Sequence, residues 1–397
     1  MKINEIELWG MPEENLRSQA EFVSEMTFNE LGFLCGIIKK VKPRKIVEVG
    51  VAEGGTTAVI MNAVSILGLS CEIYSVDLLE KLYYNQELTT GYEYNYLCPL
   101  IKNNQSSHTF LFGKSIAGQM QIIGKDIDLV ILDTMHAVPG ELIDFLSIYP
   151  YLSKNAMVVL HDVNVDYYYA INYDIKWKNW SNFSFATKLL FGAVRAEKFL
   201  NYNETGNIIN IGAFQVNEDT DKYIKDIFFL LHMPWSYCPP RFIMKECGEL
   251  FQRHYDNDCN TLFQKAVDNG FLAYKKRYVA QHYLMPVNNF LSPFEDISER
   301  ISIVIWGAGT CGKFIYKITK QNKYCKVVLW IDTYCYGKIY DGIEIEAPNV
   351  ISQKEFDYLL VAVKDKELFE TIKQEILQKK WATEEKIIGP VPSFYIY

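Results

Sequence analysis

Two groups of residues in this chain have the types and spacing to do chemistry. The first is Glu48-Val-Gly50-Val-Ala-Glu53-Gly54-Gly55-Thr56-Thr57, which follows a β-branched run and opens a helical pattern. Gly50 lets the chain turn sharply at the end of a strand. Gly54 and Gly55 remove side chains where a ligand must lie against backbone, and the helix after them, entered at Thr57, offers free N–H groups. Glu48 precedes the first glycine, in place to accept from an ammonium group. Asp77, 27 residues after Gly50, ends the next strand and is placed to bind both ribose hydroxyls of an adenosine. The spacing is G-x-x-x-G-G with no Gly-Lys-Ser/Thr after it, which disfavours a P-loop. The second group is Asp133-Thr-Met-His136 together with His161-Asp162, which begins 28 residues after Asp133. Each ends an apolar run, so in a doubly wound sheet all four side chains point into one crevice. Carboxylates Asp133 and Asp162 with the His161 imidazole make an open site for a divalent cation.

The elements that must position these residues are legible as alternating runs. Lys45–Val49, Glu72–Val76, Thr109–Phe112, Leu129–Leu132 and Met157–Leu160 predict buried strands, with helices at Thr56–Leu67 and Gly140–Tyr149 between them. Upstream, Leu31, Leu34, Ile37, Ile38 and Val41 recur at helical spacing, and Pro43 ends that helix. Such alternation implies an α/β fold with a parallel sheet covered on both faces. Downstream, Asn182–Leu200 predicts a helix and Asn207–Gln215 a late strand. Three domains follow: residues 1–215 doubly wound and Rossmann-like, 216–298 a mainly helical connection, and 299–397 a second, smaller Rossmann-like domain. The net charge of −8 and pI near 5.4 argue against a dedicated nucleic-acid binder. The apolar runs are strand-sized, far below the ~20 residues that span a bilayer. Nine cysteines, an odd number with no CxxC pair, suggest a reducing, cytoplasmic setting.

The glycine loop with its acidic second strand resembles motif I of class I S-adenosylmethionine (SAM)-dependent methyltransferases. The resemblance implies that Gly50, Gly54 and Gly55 wrap the amino-acid end of SAM, that Asp77 holds its ribose, and that Ser115, in Gly113-Lys114-Ser115, lies near the adenine. The Asp133-x-x-His136 and His161-Asp162 pattern, over roughly residues 30–215, is similar to the macrocin-type sugar O-methyltransferases and the related cephalosporin hydroxylase group. It implies a methyltransferase of a sugar or glycan hydroxyl, with His136 as base aided by Asp133 and a magnesium or manganese ion on Asp133, His161 and Asp162. His161 stands where that family usually has an acid, which favours a softer ion than magnesium, or none. The Tyr-rich stretches Tyr83–Tyr96 and Asp166–Tyr173 read equally well as acceptor-binding loops and as interface aromatics.

A second glycine motif, Gly307-x-Gly309-x-x-Gly312, follows the run Ile301–Trp306, with Asp332 ending the next run. It has dinucleotide spacing. The segment resembles the small Rossmann-like domains attached to sugar-modifying enzymes, which implies a nucleotide-sugar or glycan contact. Two other readings stand beside the methyltransferase: an NAD-dependent nucleotide-sugar enzyme using this loop, and a non-catalytic glycan-assembly scaffold. A homo-oligomer is compatible with all three.

Overall fold

Strands β2 (Lys45–Val49) and β5 (Ile127–Leu132), and β6 (Leu152–His161) from Ala156 onward, bury side chains on both faces, as strands in the middle of a parallel sheet must. The computed structural model describes residues 3–20, 22–83, 85, 87–102, 104–164, 186–202, 206–235, 239–280, 300–321, 325–363 and 365–389. The stretch Asp166–Tyr173 and part of Tyr83–Tyr96 lie outside them. The chain forms two compact units, Met1–Ser236 with Ile243–Gly270, and Tyr237–Phe242 with Phe271–Tyr397.

In the first unit, β2, β5 and β6 are joined by β1 (Ile3–Glu5), β3 (Glu72–Asp77), β4 (Ser107–Phe112), β7 (Glu197–Leu200) and β8 (Ile211–Gln215) in one eight-stranded sheet. Its order is β1-β7-β8-β6-β5-β2-β3-β4, and only β8 runs antiparallel to its neighbours. The chain moves outward from β2 through β3 to β4, then returns to the other side of β2 for β5 and β6. That reversal puts the switch point of the sheet between β2 and β5, the place where such sheets leave a crevice outside their carboxyl ends.

Two helices frame that crevice. Helix α1 (Met11–Arg17) precedes the segment that leads into α2 (Phe28–Val41). A reciprocal cap starts α2: the Glu30 N–H donates to Thr27 Oγ1, and the Thr27 N–H donates to Glu30 Oε2 at 2.5 Å. The helix ends where Lys42 turns left-handed before Pro43. Helix α3 (Gly55–Ile66) carries no side-chain cap and is buried from Thr57 to Ser65. Helices α4 (Tyr92–Leu97), α5 (Ile116–Ile123) and α6 (Gly140–Ile148) complete the crossovers to β6.

The structure corrects the expected helix over Asn182–Leu200. Among the described residues only Ala186–Ala193 is helical, and Glu197–Leu200 is β7. Apolar residues continue at helical spacing, but Lys198 is fully buried. Its ammonium donates to the Gly192 carbonyl and lies 5.0 Å from the Phe191 ring centre. Sheet partners on both edges, β1 and β8, outweigh the local pattern. The domain division also differs from the expected 1–215, 216–298 and 299–397. The described residues from Glu218 to Ala280 are largely helical, yet Ile243–Gly270 packs into the first unit, where the Tyr255 hydroxyl donates to the Leu146 carbonyl at 2.7 Å.

The second unit holds β9 (Ile301–Trp306), β10 (Cys325–Ile331), β11 (Ile339–Tyr340), β12 (Ile343–Glu346), β13 (Tyr358–Val361) and β14 (Ile387–Ile388). The order is β11-β12-β10-β9-β13-β14, parallel except for the β11–β12 hairpin.

Two glycines make contrasting demands. A Cβ on Gly50, at φ 93°, would lie 1.8 Å from the Asp133 carbonyl oxygen, whereas one on Gly309 would meet nothing within 4 Å. Gly50→Ala is expected to cost about 3 kcal/mol and Gly309→Ala less than about 0.5 kcal/mol. Urea unfolding followed by circular dichroism checks both.

Candidate active site

The loop between β2 and α3 takes left-handed backbone at Gly50 (φ 93°), Ala52 (φ 45°) and Gly54 (φ 96°). Asp77, ending β3, ties this loop to its own: Oδ2 accepts from the Val51 N–H at 3.0 Å and Oδ1 from the Leu79 N–H at 2.8 Å. Burial raises the Asp77 pKa against those amides. Gly91 and Glu93 brace the loop from outside, their N–H groups donating to the carbonyls of Ala52 at 2.7 Å and Glu53 at 2.9 Å.

Several residues expected to meet a ligand are committed to the protein instead. Glu48 is buried below the loop, where Oε2 accepts the hydroxyls of Thr57 at 2.7 Å and Ser75 at 2.6 Å, and burial pushes its pKa up to about 7. Its other oxygen, Oε1, has no hydrogen-bond partner among the described residues, and the Thr57 hydroxyl proton is given to Glu48. A Cβ on Gly55 would sit 1.8 Å from the Val23 carbonyl oxygen, so protein backbone rather than a ligand requires glycine there. Ser115 caps α5, accepting from the Gly118 N–H at 3.3 Å and donating to Glu246 Oε2 at 2.7 Å. A Cβ on Gly50 would likewise overlap the Asp133 carbonyl and one on Gly54 would lie 3.0 Å from the Gly91 backbone, while the amides opening α3 carry no side-chain cap.

At the neighbouring strand ends the structure brings Asp133, His136, His161 and Asp162 together. His136 Nδ1 lies 2.9 Å from Asp162 Oδ2, and its Nε2 lies 3.9 Å from Asp133 Oδ1. His161 Nδ1 lies 3.1 Å from Asp133 Oδ1. One ligand atom each from Asp133, His136 and Asp162 falls within 4.8 Å of the others, a spacing one cation could bridge. This alters the expected ligand set. His136 takes the place assigned to His161, whose two ring nitrogens face the carboxylates of Asp133 and Glu30. His136 and Asp162 both have positive φ, 56° and 60°, a costly backbone for non-glycine residues and one that clusters at functional sites.

The electrostatics follow from burial and pairing. Burial opposes charge on His136, but Asp162, with Asp133 and Glu141, outweighs it and raises the pKa to about 10. The same balance raises His161 well above its ordinary value, through Asp133, Asp162 and Glu30. Burial would raise Asp162, but the two imidazoles hold it well below the usual carboxylate range. Without a cation His136 is therefore an imidazolium at neutral pH. A metal bound through the ring would displace the proton, because metal binding and ligand deprotonation are linked.

Sequence reasoning missed the supports of this cluster. The His136 N–H donates to Glu141 Oε1 at 2.5 Å, Thr134 donates to Asp144 Oδ2 at 2.9 Å, and Asn210 donates to Asp162 Oδ1. Glu141 opens α6 only five residues after His136, which the sequence could have signalled; Asn210 and Glu30 come from distant segments. Glu25, which accepts from the Tyr83 hydroxyl, feels Asp133, Glu53 and His136, and burial raises its pKa.

In the second unit Gly307 is left-handed (φ 115°), and a Cβ on Gly312 would lie 1.9 Å from the Gly307 carbonyl oxygen. The Asp332 carboxylate accepts the N–H groups of Ala308 at 2.6 Å, Tyr334 at 2.7 Å and Cys335 at 2.8 Å.

Residues 47–163, which run from β2 past Asp162, match a family model described as a methyltransferase domain. The chain carries a methyltransferase domain over these residues. Residues 299–388 match the family C2185-like, N-terminal. No curated protein matches the sequence. Among solved structures, the methyltransferase is similar to an O-methyltransferase from Streptomyces achromogenes involved in tomaymycin synthesis, in complex with SAM, at 13% identity over 52% of this chain and 89% of that one, TM-score 0.35. It is also similar to an O-methyltransferase from Bacillus cereus in complex with SAH, at 14% identity over 52% and 90% of the two chains, TM-score 0.34. Among the described residues no helix is long and apolar enough to cross a membrane.

The His136 shift sets a pH dependence. The folded pKa of about 10 lies above the unfolded value near 6.5, so the stabilisation from the His136 pairing is full below about pH 6.5 and lost as pH rises through 10. In chelator-treated protein, the stability gap between wild type and His136→Gln should shrink between pH 6 and pH 10. Urea midpoints across that range check it; a gap that stays constant or widens contradicts the assigned pairing.

Proposed function

We propose that this methyltransferase transfers the methyl group of SAM to a hydroxyl of a sugar or glycan. The observation that supports it most is the convergence of Asp133, His136 and Asp162 at the ends of β5 and β6, beside the left-handed loop after β2. That loop, with uncapped amides opening α3 and Asp77 across from them, suits a nucleoside with a charged tail. The surrounding acids, Glu25, Glu53 and Asp133, suit a cationic sulfonium. When bound, SAM supplies an activated methyl group; the chain must align the acceptor oxygen with it and remove the acceptor's proton.

Gly50 and Gly54 would lie along the amino-acid end of SAM, and Asp77 would take the ribose hydroxyls with the lone pairs its amide contacts leave free. Asp133, His136 and Asp162 would hold a divalent cation, manganese or magnesium, which would acidify the acceptor hydroxyl; the acceptor's proton and the one displaced from the His136 ring would both pass to solvent. Without the cation, His136 would have to lose its proton before it could serve as the base, which its pairing with Asp162 opposes. His161 would orient Asp133. The second unit would bind a nucleotide-sugar or glycan in its own right.

Methyl transfer from labelled SAM to a panel of nucleotide-sugars and glycans tests the acceptor class, and an absence of uptake by every sugar would refute it. His136→Ala should lower kcat by about 100-fold or more, with SAM affinity by calorimetry within roughly threefold of wild type. Full turnover by that variant would remove His136 from the reaction. Chelator treatment should abolish activity and added manganese restore it; activity that survives chelation would exclude the cation.

A further inference from the structure

Glu30 is the buried titratable group that the reaction above leaves without a task. It lies in the first turn of α2, about 100 residues before Asp133 in sequence, and is 4% exposed. Its carboxylate does two things. Oε2 accepts the Thr27 N–H at 2.5 Å, which closes the helix cap, and the same oxygen faces His161 Nε2 at 3.6 Å. The opposite ring nitrogen, Nδ1, lies 3.1 Å from Asp133 Oδ1. One buried imidazole thus stands between two carboxylates, one fixed by a helix cap and the other in the reacting centre.

The segment that delivers Glu30 is also fastened to the donor loop. The Val23 N–H donates to Glu93 Oε2 at 2.8 Å, Ser24 and Thr56 share a hydrogen bond at 2.9 Å, and the Val23 carbonyl fills the space that only a glycine at position 55 leaves open. A helix cap would need only Thr27 and Glu30. The additional approach to His161 gives the carboxylate a second partner, which capping does not require.

We propose that Glu30 is a positioning residue of the reacting centre: through the His161 ring it fixes the rotamer of the Asp133 carboxylate. The geometry assigns α2 a role beyond covering the sheet, since its cap sets the orientation of a carboxylate at the end of β5. A partner held at one remove from a metal ligand typically changes metal affinity by about 10-fold or more when removed.

The test uses the full chain, freed of metal by chelation. Imidazole nitrogen NMR spectra, with His161 assigned through His161→Gln, are recorded for wild type, Glu30→Gln and Thr27→Ala. Manganese affinity is then measured by electron paramagnetic resonance and SAM affinity by calorimetry. Glu30→Gln should move the His161 signals and weaken manganese binding about 10-fold, with SAM affinity unchanged. Thr27→Ala removes the other half of the cap and should leave the His161 signals and manganese affinity as they are. Equal effects from the two variants would reduce Glu30 to a helix cap, and unmoved His161 signals in Glu30→Gln would overturn the proposal outright. The manganese arm rests on the proposed cation site. If wild type takes up no manganese, that site falls, and the His161 signals alone decide the role of Glu30.

Discussion

Charge burial governs the site. Asp133, Asp162, Glu141 and Glu30 meet His136 and His161 at the ends of β5, β6 and α2, and most of these side chains are withdrawn from water. An isolated ionised group would be expelled from such a place or neutralised there. Each must therefore keep a partner, and the pairings leave little freedom to any of them. The left-handed backbone at His136 and Asp162 is the cost of turning those side chains inward, offset by the Glu141 and Asn210 contacts that hold them.

The same constraint joins the two halves of the chemistry. Gly50 approaches the backbone of Asp133 so closely that a methyl group there would overlap its carbonyl. The loop after β2 and the chain leaving β5 are therefore packed backbone against backbone at the switch point of the sheet. The segment from Val23 to Glu30 closes the outer wall of the crevice, touching the donor loop at one end and His161 at the other. The proposed transfer would depend on this packing, because small misplacements of reacting groups cost large factors in rate.

Much of the sheet was legible because its strands are short apolar runs between turn residues, and the strand ends marked by Gly50, Asp77, Asp133 and His161 lie where the sequence put them. The individual duties of polar residues were less so. Glu48, Thr57 and Ser115 have types suited to a ligand, but Glu48 Oε2 accepts from Ser75 and Thr57, and Ser115 donates to Glu246 from a remote helix. Sequence spacing does not report who occupies a lone pair. His161 likewise faces a residue far away in sequence, Glu30, whose carboxylate lies 3.6 Å from its Nε2. Strand β7 was hidden because one of its partners, β1, comes from the far end of the chain, where Ile3 pairs with Lys198.

The central claim is that the methyl donor lies on the loop after β2 with its sulfur turned toward Asp133 and His136. A crystal structure of the full chain grown with S-adenosylhomocysteine tests it most directly. The account predicts density for the ribose at Asp77 and for the sulfur over the Asp133–His136 crevice. Density for the ligand elsewhere, or a crevice that excludes it at saturating concentration, would contradict the account.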